Sequence, residues 1–255
     1  MLLAIDAGNT QTHIGMFRGE ELVESWRLAT ARDSTADRLT ADLSDLLSLR
    51  DLRLKDIDGA VVSSVVPALT PEYEAVSERY LAGALMIVGP GLKTGMPILT
   101  ENPHELGTDR LVNAVAAYDR CGSACVVVDF GTSINYDVVS AGGDYLGGVI
   151  APGVEISIDA LSDRTAKLPR VELEAPPDVI GRRTETCIQS GLVYGFAGQV
   201  DGIVGRVREE LGDEATAIAT GGLAGAIVPH CEQIDEVDPL LTLTGLRLIW
   251  ERNQA

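Results

Sequence analysis

Two short segments of the chain place a carboxylate directly before a turn of small residues. Asp6 follows an apolar run and precedes the Gly-Asn-Thr turn at 8–10, and Asp129 follows a second apolar run and precedes the Gly-Thr-Ser turn at 131–133. A carboxylate at the end of a buried strand can hold a hydrated cation, while the amides and hydroxyls of the turn bind a phosphate. The competing interpretation is a hairpin turn in which the Asp side chain only accepts hydrogen bonds from its own backbone.

A third carboxylate lies in the segment Gly-Thr-Asp-Arg at 107–110, at the predicted start of a helix. Asp109 could take the proton from an attacking alcohol while Arg110 binds an anionic group of the substrate, such as a carboxylate. Phosphoryl transfer needs mainly positioning and charge neutralisation, so one carboxylate base and one or two cations would suffice. The alternative is a helix cap with an ordinary salt bridge. A catalytic triad or a histidine metal cluster is not indicated, because the three histidines are scattered: His13, His104 and His230.

A third turn of small residues, Thr-Gly-Gly at 220–222, follows the predicted strand at 215–219. Its glycines carry no side chain, so an adenosine ring could lie flat against their backbone. Together with the turns after Asp6 and Asp129, this turn predicts an ATPase whose first two turns hold the phosphates.

The elements that must position these turns repeat at half the chain length. Each carboxylate and its turn are followed by an alternating strand, at 12–17 and at 135–139, so each copy predicts a β-hairpin. A repeat of this kind predicts a duplicated α/β unit, with lobes at 1–115 and 116–255. Chance similarity between two strand turns is the alternative.

Between the turns, hydrophobic spacing predicts the remaining elements. Leucines at helical spacing predict a helix at 34–49 with Ser34 or Thr35 as its cap. Further elements are predicted as strands at 59–66, 85–88, 144–153 and 215–219, and as helices at 70–81, 154–161 and 184–207.

The composition excludes several classes of protein. With Lys+Arg 20 against Asp+Glu 38, the net charge of −18 argues against a nucleic-acid-binding surface. No apolar run is long enough to predict a membrane span, and the N-terminus lacks the basic region of a signal peptide. Four cysteines in 255 residues are too few for a disulfide scaffold. We therefore expect a cytoplasmic protein with reduced thiols, and no nucleic-acid or membrane partner.

Several of these motifs together resemble the type III pantothenate kinases. The matching segments, in order, are D-x-G-N-T at 6–10, G-T-D-R at 107–110, D-F-G-T at 129–132, G-G-x-I-x-P-G at 147–153, A-T-G-G at 219–222 and D-P-L-L-T-L-x-G-L at 238–246. The resemblance covers essentially the full chain. It implies a duplicated ribonuclease H-like (actin-like ATPase) fold, in which two mixed-sheet lobes surround a central cleft.

The resemblance also implies roles for individual residues. Asp109 would be the catalytic proton acceptor from the pantothenate hydroxyl. The substrate pocket would be lined by Thr100, Gly107, Thr108, Asp109, Arg110 and Thr184. The ATP site would comprise Asp6, Ala7, Gly8, Asn9, Thr10, Gln11, Thr12, His13, Thr132, Gly221 and Gly222.

The same resemblance implies the cofactors and partners of the chain. ATP would be the co-substrate, with Mg²⁺ near Asp6 and a monovalent cation, K⁺ or NH₄⁺, on Asp129. Pantothenate would be the acceptor, and the chain is expected to form a homodimer. The product would enter coenzyme A biosynthesis.

The chain departs from the family pattern at several positions near the same pocket. Thr100 stands where the family usually has Tyr, and His104 where Arg is common. Gln11, Arg183 and the Ser-Ile-Asn run at 133–135 are further differences. All three carboxylates are kept, so the departures bear on substrate fit more than on the chemistry.

Two other functions remain open at the level of sequence. A non-catalytic relative could act as a regulatory or accessory protein, although loss of a carboxylate would then be expected. A kinase for another small hydroxy acid is suggested by Thr100 and His104.

Overall fold

The computed structural model of the chain describes residues 1–212 and 215–254. It divides into two compact units. The first unit contains Met1–Met96, Asn102–Ala116 and the described residues from Leu241 onward, and the second contains Pro97–Glu101 and the described part of Ala117–Leu240.

The first unit is built on a five-stranded mixed sheet. Its strands are β1 (Leu2–Ala7), β2 (Gln11–Arg18), β3 (Glu21–Ala29), β4 (Gly59–Ser64) and β5 (Ala84–Ile87). The spatial order is β3-β2-β1-β4-β5, with β1 to β3 antiparallel and with β4 and β5 parallel to β1. Most residues of β1 and β4 are buried, as expected for central strands covered on both faces.

Helices α1 (Ala36–Ser48) and α2 (Thr70–Tyr80) pack against each other beside this sheet. The side chain of Thr35 caps α1 by accepting a hydrogen bond from the Arg38 amide. Leu43 and Leu47 of α1 and Val76 of α2 join the apolar core of the unit. The helical leucine spacing thus corresponds to the buried face of α1.

The second unit repeats the same arrangement. Its strands are β6 (Cys125–Phe130), β7 (Ser133–Val139), β8 (Tyr145–Pro152), β9 (Thr216–Thr220) and β10 (Glu236–Val237). Their order is β10-β9-β6-β7-β8, again with three antiparallel strands followed by parallel ones. In both units the first strand is central, so the predicted duplicated α/β fold with one mixed sheet in each half is confirmed.

Helices α4 (Val154–Asp163), α5 (Thr184–Leu211) and α6 (Ala224–Ile227) complete the second unit. The core between α4, α5 and the sheet includes Phe130, Ile134 and Tyr136. Helix α5 ends at Gly212, whose φ of +64° gives the left-handed cap typical of glycine.

Helix α3 (Thr108–Cys121) begins in the first unit, and the last helix, α7 (Leu241–Gln254), belongs to it entirely. Leu243 and Leu246 of α7 are buried, and the helix packs against β1, β2 and β4. The Thr242 hydroxyl donates a hydrogen bond to the Asn113 side chain at 2.7 Å, joining α7 to α3. The predicted lobes at 1–115 and 116–255 therefore differ from the structural units in the placement of α7.

Most predicted elements are present with small changes in their ends. The helices predicted at 34–49, 154–161 and 184–207 are α1, α4 and α5. Strand β3, strand β10 and helix α7 have no counterpart in the predicted elements. Within residues 1–212 and 215–254, no helix combines the length and apolarity needed to cross a membrane.

Candidate active site

Strand register brings two predicted site residues and a serine that was not predicted to one face of the first unit. Asp6 of β1 lies directly opposite His13 of β2 and Ser63 of β4, so the three side chains point to the same side of the sheet. The hydroxyls of Ser63 and Thr108 are 3.0 Å apart. The start of α3 is therefore tied to the face that carries Asp6.

Asp109 occupies the first turn of α3. Its Oδ1 accepts a hydrogen bond from the Arg110 amide at 2.8 Å. Burial raises the pKa of the Asp109 carboxyl, and the amide and guanidinium of Arg110 only partly oppose that shift. A carboxylate with a raised pKa is a better proton acceptor for an alcohol than a fully solvated one.

Gly107 leaves room for that carboxylate. A Cβ at residue 107 would lie 2.5 Å from Oδ1 of Asp109, closer than real contacts allow. The Gly107 carbonyl also accepts a hydrogen bond from the Leu111 amide, so the residue begins the α3 hydrogen-bond pattern. Within the Gly-Thr-Asp-Arg segment, the Asp109 carboxylate thus lies close to the Cα of Gly107, where there is no side chain.

The predicted ATP segment at 6–13 divides into exposed and buried residues. Asn9, Thr10 and Gln11 are exposed in the β1–β2 turn, whereas Ala7 is buried. Thr12 and His13 are only 6% and 7% exposed. The Gly8 amide donates to the Gln11 carbonyl at 3.0 Å and closes the turn. The backbone at 9–11 is therefore the accessible part of this segment.

His13 is neutral at physiological pH. Desolvation lowers the pKa of its imidazole to about 4, and the positive charge of Arg27 adds to this. Arg27 is the residue directly opposite His13 on β3. His13 can therefore act as a neutral hydrogen-bonding group, but it supplies no positive charge to a phosphate.

A second group of oxygen-bearing side chains lies in the second unit. Asp129, near the end of β6, is directly opposite Asn135 of β7 and Thr220 of β9. Asn135 and Thr220 are buried, and the Ser133 hydroxyl donates to the Asn135 side-chain oxygen at 3.0 Å. Carboxylate, amide and hydroxyl oxygens are the ligand types that hard cations prefer. Asn135 lies outside the motifs that predict the site, and Thr220 enters them only as the first residue of the Thr-Gly-Gly turn, without a predicted role for its side chain.

Gly221 directly follows this group of oxygens. Its φ is +94°, a backbone conformation that side-chain-bearing residues rarely adopt. A Cβ there would lie 2.5 Å from Oδ1 of Asp129 and 2.6 Å from the backbone N and O of Phe130. Gly222 and Thr132, the other predicted ATP contacts of this unit, are exposed. The Thr-Gly-Gly turn is thus packed directly against the predicted cation ligand.

The remaining predicted substrate residues belong to different units. Gly107 to Arg110 lie in the first unit, and Thr100 and Thr184 lie in the second. Thr184 is the exposed first residue of α5. Thr100 lies beside Gly147, and its Oγ1 is buried without a hydrogen-bond partner among the described residues.

Metal binding at these sites would rely on few protein carboxylates. The described residues contain no cluster of three or more His, Cys, Asp or Glu side chains that could hold a metal ion. A cation held by one carboxylate, with the remaining ligands supplied by phosphate and water, is compatible with this arrangement and is the usual form of a Mg²⁺ site in a kinase.

Comparison with known proteins identifies relatives across the whole chain. The family model described as type III pantothenate kinase matches residues 2–206. A type III pantothenate kinase from Moorella thermoacetica is 52% identical over 253 residues, covering 99% of this chain and 100% of the relative. One from Myxococcus xanthus is 49% identical over 255 residues, covering 100% of both chains.

Solved structures resemble the fold at much lower identity. The ethanolamine utilization protein EutJ from Carboxydothermus hydrogenoformans gives a TM-score of 0.56 at 14% identity, covering 97% of this chain and 89% of that one. The ROK hexokinase from Thermus thermophilus gives 0.52 at 13% identity, covering 100% and 99%. At these identities the similarity shows a shared fold and carries no information about activity.

Proposed function

The chain belongs to the type III pantothenate kinase family, and from this premise we propose that it transfers the γ-phosphoryl group of ATP to the hydroxyl of pantothenate. The product, 4'-phosphopantothenate, is the first intermediate of coenzyme A biosynthesis. The observation that supports the chemistry most strongly is the desolvated Asp109 carboxylate, on a helix start that Thr108 ties to Ser63 beside Asp6.

Asp109 is the proposed general base. It accepts the proton of the pantothenate hydroxyl as that oxygen attacks the γ-phosphorus, and ADP leaves with the bridging oxygen. Burial makes the carboxylate more basic than a solvated Asp side chain. Arg110 is the proposed partner of the pantothenate carboxylate, because a guanidinium can bind a carboxylate through two parallel hydrogen bonds.

The β1–β2 turn is the proposed phosphate site of the first unit. Its exposed backbone at 9–11 offers amide donors, and Asp6 is suited to hold Mg²⁺ through one carboxylate. When bound, Mg²⁺ neutralises the charge of the phosphates. Thr132, Gly221 and Gly222 are the proposed nucleotide contacts of the second unit.

Asp129 is the proposed ligand of a monovalent cation, K⁺ or NH₄⁺. Asn135 and Thr220 lie directly opposite it in the sheet, so three oxygen-bearing side chains share one face. An amide and a hydroxyl beside a single carboxylate give a site of low charge, which suits a monovalent cation better than a divalent one.

A homodimer is also proposed, with β8 and α4 at the subunit interface. Ile150 of β8 is 65% exposed and Ile156 of α4 is 47% exposed, and Leu146 and Val149 add apolar surface on the same strand. Replacement of Ile150 by Glu should shift the protein from dimer to monomer in analytical ultracentrifugation. A protein that sediments as a monomer before the substitution would contradict the proposal.

A cytoplasmic location is proposed because ATP is the phosphoryl donor.

One observation favours a second candidate, a kinase for another small hydroxy acid. The buried Thr100 hydroxyl has no hydrogen-bond partner among the described residues, and a substrate group could supply one. A panel of hydroxy acids separates the two candidates. Pantothenate should give the highest kcat/KM, and a faster acceptor would favour the alternative.

ADP release with ATP, Mg²⁺ and pantothenate is the direct test of the proposed function. K⁺ and Na⁺ should be compared as sole monovalent cations, at low and high salt. We expect turnover that depends on pantothenate and on K⁺, and that falls at least about a hundredfold in Asp109→Asn. Activity of a folded Asp109→Asn variant equal to the original would exclude Asp109 as the base.

A further inference from the structure

Three consecutive carbonyls of the β1–β2 turn are held by one neighbouring segment, residues 30–32. The Thr30 hydroxyl donates to the Gly8 carbonyl at 2.8 Å, and the Thr30 amide donates to the Thr10 carbonyl at 2.9 Å. Arg32 donates to the Asn9 carbonyl from Nη2 at 3.0 Å and from Nε at 3.3 Å. We call this segment the turn clamp; neither Thr30 nor Arg32 belongs to the motifs that predict the site.

The turn clamp fixes the direction in which the turn presents its amides. In a trans peptide the C=O and the following N–H point in opposite directions. Holding the carbonyls of Gly8 and Asn9 against the clamp therefore directs the amides of Asn9 and Thr10 away from it. Successive amides that point to one side form a concave site for an anion.

The hydroxyl of Thr30 is itself fixed by a buried neighbour. Its oxygen lies 2.9 Å from the hydroxyl oxygen of Thr12, which is only 6% exposed. A carbonyl can only accept, so the single proton of Thr30 is committed to Gly8. Thr12 must then donate to Thr30.

Arg32 adds charge to this geometry. Its exposed guanidinium donates to the Asn9 carbonyl through two groups, and a guanidinium has five N–H donors, so others remain available to a ligand at the turn. On a chain of net charge −18, a cation at this position provides local attraction for a polyphosphate.

We propose that Thr30 and Arg32 are positioning residues for ATP: through three backbone carbonyls they orient the amides of the β1–β2 turn toward the phosphates, and Arg32 adds a positive charge there. This inference rests on the proposed phosphate-binding role of the turn. Thr30 acts through the turn and does not itself contact the nucleotide.

Thr30→Val is the first test, because it removes the hydroxyl and keeps the shape and the backbone amide. We expect the KM for ATP to rise about tenfold, because the variant loses a hydrogen bond that orients the binding turn. The KM for pantothenate should stay within about twofold of the original. Thr30→Ser keeps the hydroxyl and should restore the KM for ATP. Thr40→Val is the matched control, since it removes a buried hydroxyl bonded to a backbone carbonyl on α1.

Arg32→Gln is the second test and does not depend on the folding of the Thr30 variant, because Arg32 is exposed. It should raise the KM for ATP about fivefold, with a larger effect at low ionic strength. An unchanged KM for ATP in both folded variants, or an equal rise in Thr40→Val, would overturn the inference.

Calorimetric binding of MgATP to the same variants separates this inference from the proposed function. Weaker MgATP binding in Thr30→Val and Arg32→Gln supports the turn clamp even if pantothenate is not phosphorylated. Unchanged binding refutes the turn clamp even if pantothenate is a substrate.

Discussion

Gly221→Ala tests whether the turn after β9 is shaped to fit Asp129. At φ +94° a side chain costs about 1–2 kcal/mol in backbone strain. The new methyl group would also lie 2.5 Å from Oδ1 of Asp129 and 2.6 Å from the backbone of Phe130, and relieving such overlap costs about 1–3 kcal/mol more. We therefore expect the free energy of unfolding to fall by about 2–5 kcal/mol.

Urea denaturation measures this loss, and Gly225→Ala is its control. Gly225 lies in α6, four residues further along, and a Cβ there meets nothing within 4 Å. Alanine should leave stability unchanged there or raise it by up to about 1 kcal/mol. Since Asp129 must move to admit the methyl group, Gly221→Ala should also raise the K⁺ concentration needed for half-maximal activity. Gly221→Ala with the unfolding free energy and K⁺ dependence of the original protein would refute this account of the turn.

Two further predictions concern titration. Burial raises the pKa of Asp109, so the acidic limb of the pH dependence of kcat/KM for pantothenate should have an apparent pKa above the ordinary Asp value of about 3.9. An apparent pKa at or below that value would contradict a buried base. The pKa of His13 is 6.5 when unfolded and about 4 when folded, so the unfolded state binds the extra proton between these values and stability falls as pH decreases. His13 should contribute about 3 kcal/mol to the change in unfolding free energy between pH 6.5 and 4, measured by urea denaturation at each pH. His13→Gln should lack this contribution, whereas equal pH dependence of both proteins would refute the prediction.

The parts of the fold that sequence predicts are those with strong local signals. Helix α1 has a capping Thr35 and leucines on one face, so its ends can be placed within about two residues. Strand β3 has a weak signal because it is a half-buried edge strand that carries Glu24 and Arg27 among its apolar residues. Helix α7 is determined by its packing against strands far away in sequence, which local periodicity does not report.

The candidate site shows the same division. Asp6, Asp109 and Asp129 are predicted from sequence because each belongs to a recognisable motif. Their neighbours on the same sheet face are Ser63, beside Asp6, and Asn135, beside Asp129. Strand register determines these neighbours, and a single sequence does not fix strand register.

The turn clamp belongs to the second class as well. Thr30 lies 22 residues from the carbonyl that it binds, and nothing in its immediate sequence marks it as part of a site. Only the return of β3 alongside β2 brings residue 30 back to the turn.

The most direct test of the central claim is identification of the product by ³¹P NMR and mass spectrometry. The protein should be incubated with MgATP, K⁺ and pantothenate, beside a folded Asp109→Asn control. The account predicts one new phosphomonoester, 4'-phosphopantothenate, formed in step with ADP and absent from the control. Folded protein that produces no phosphorylated pantothenate under any monovalent cation or salt condition would contradict it.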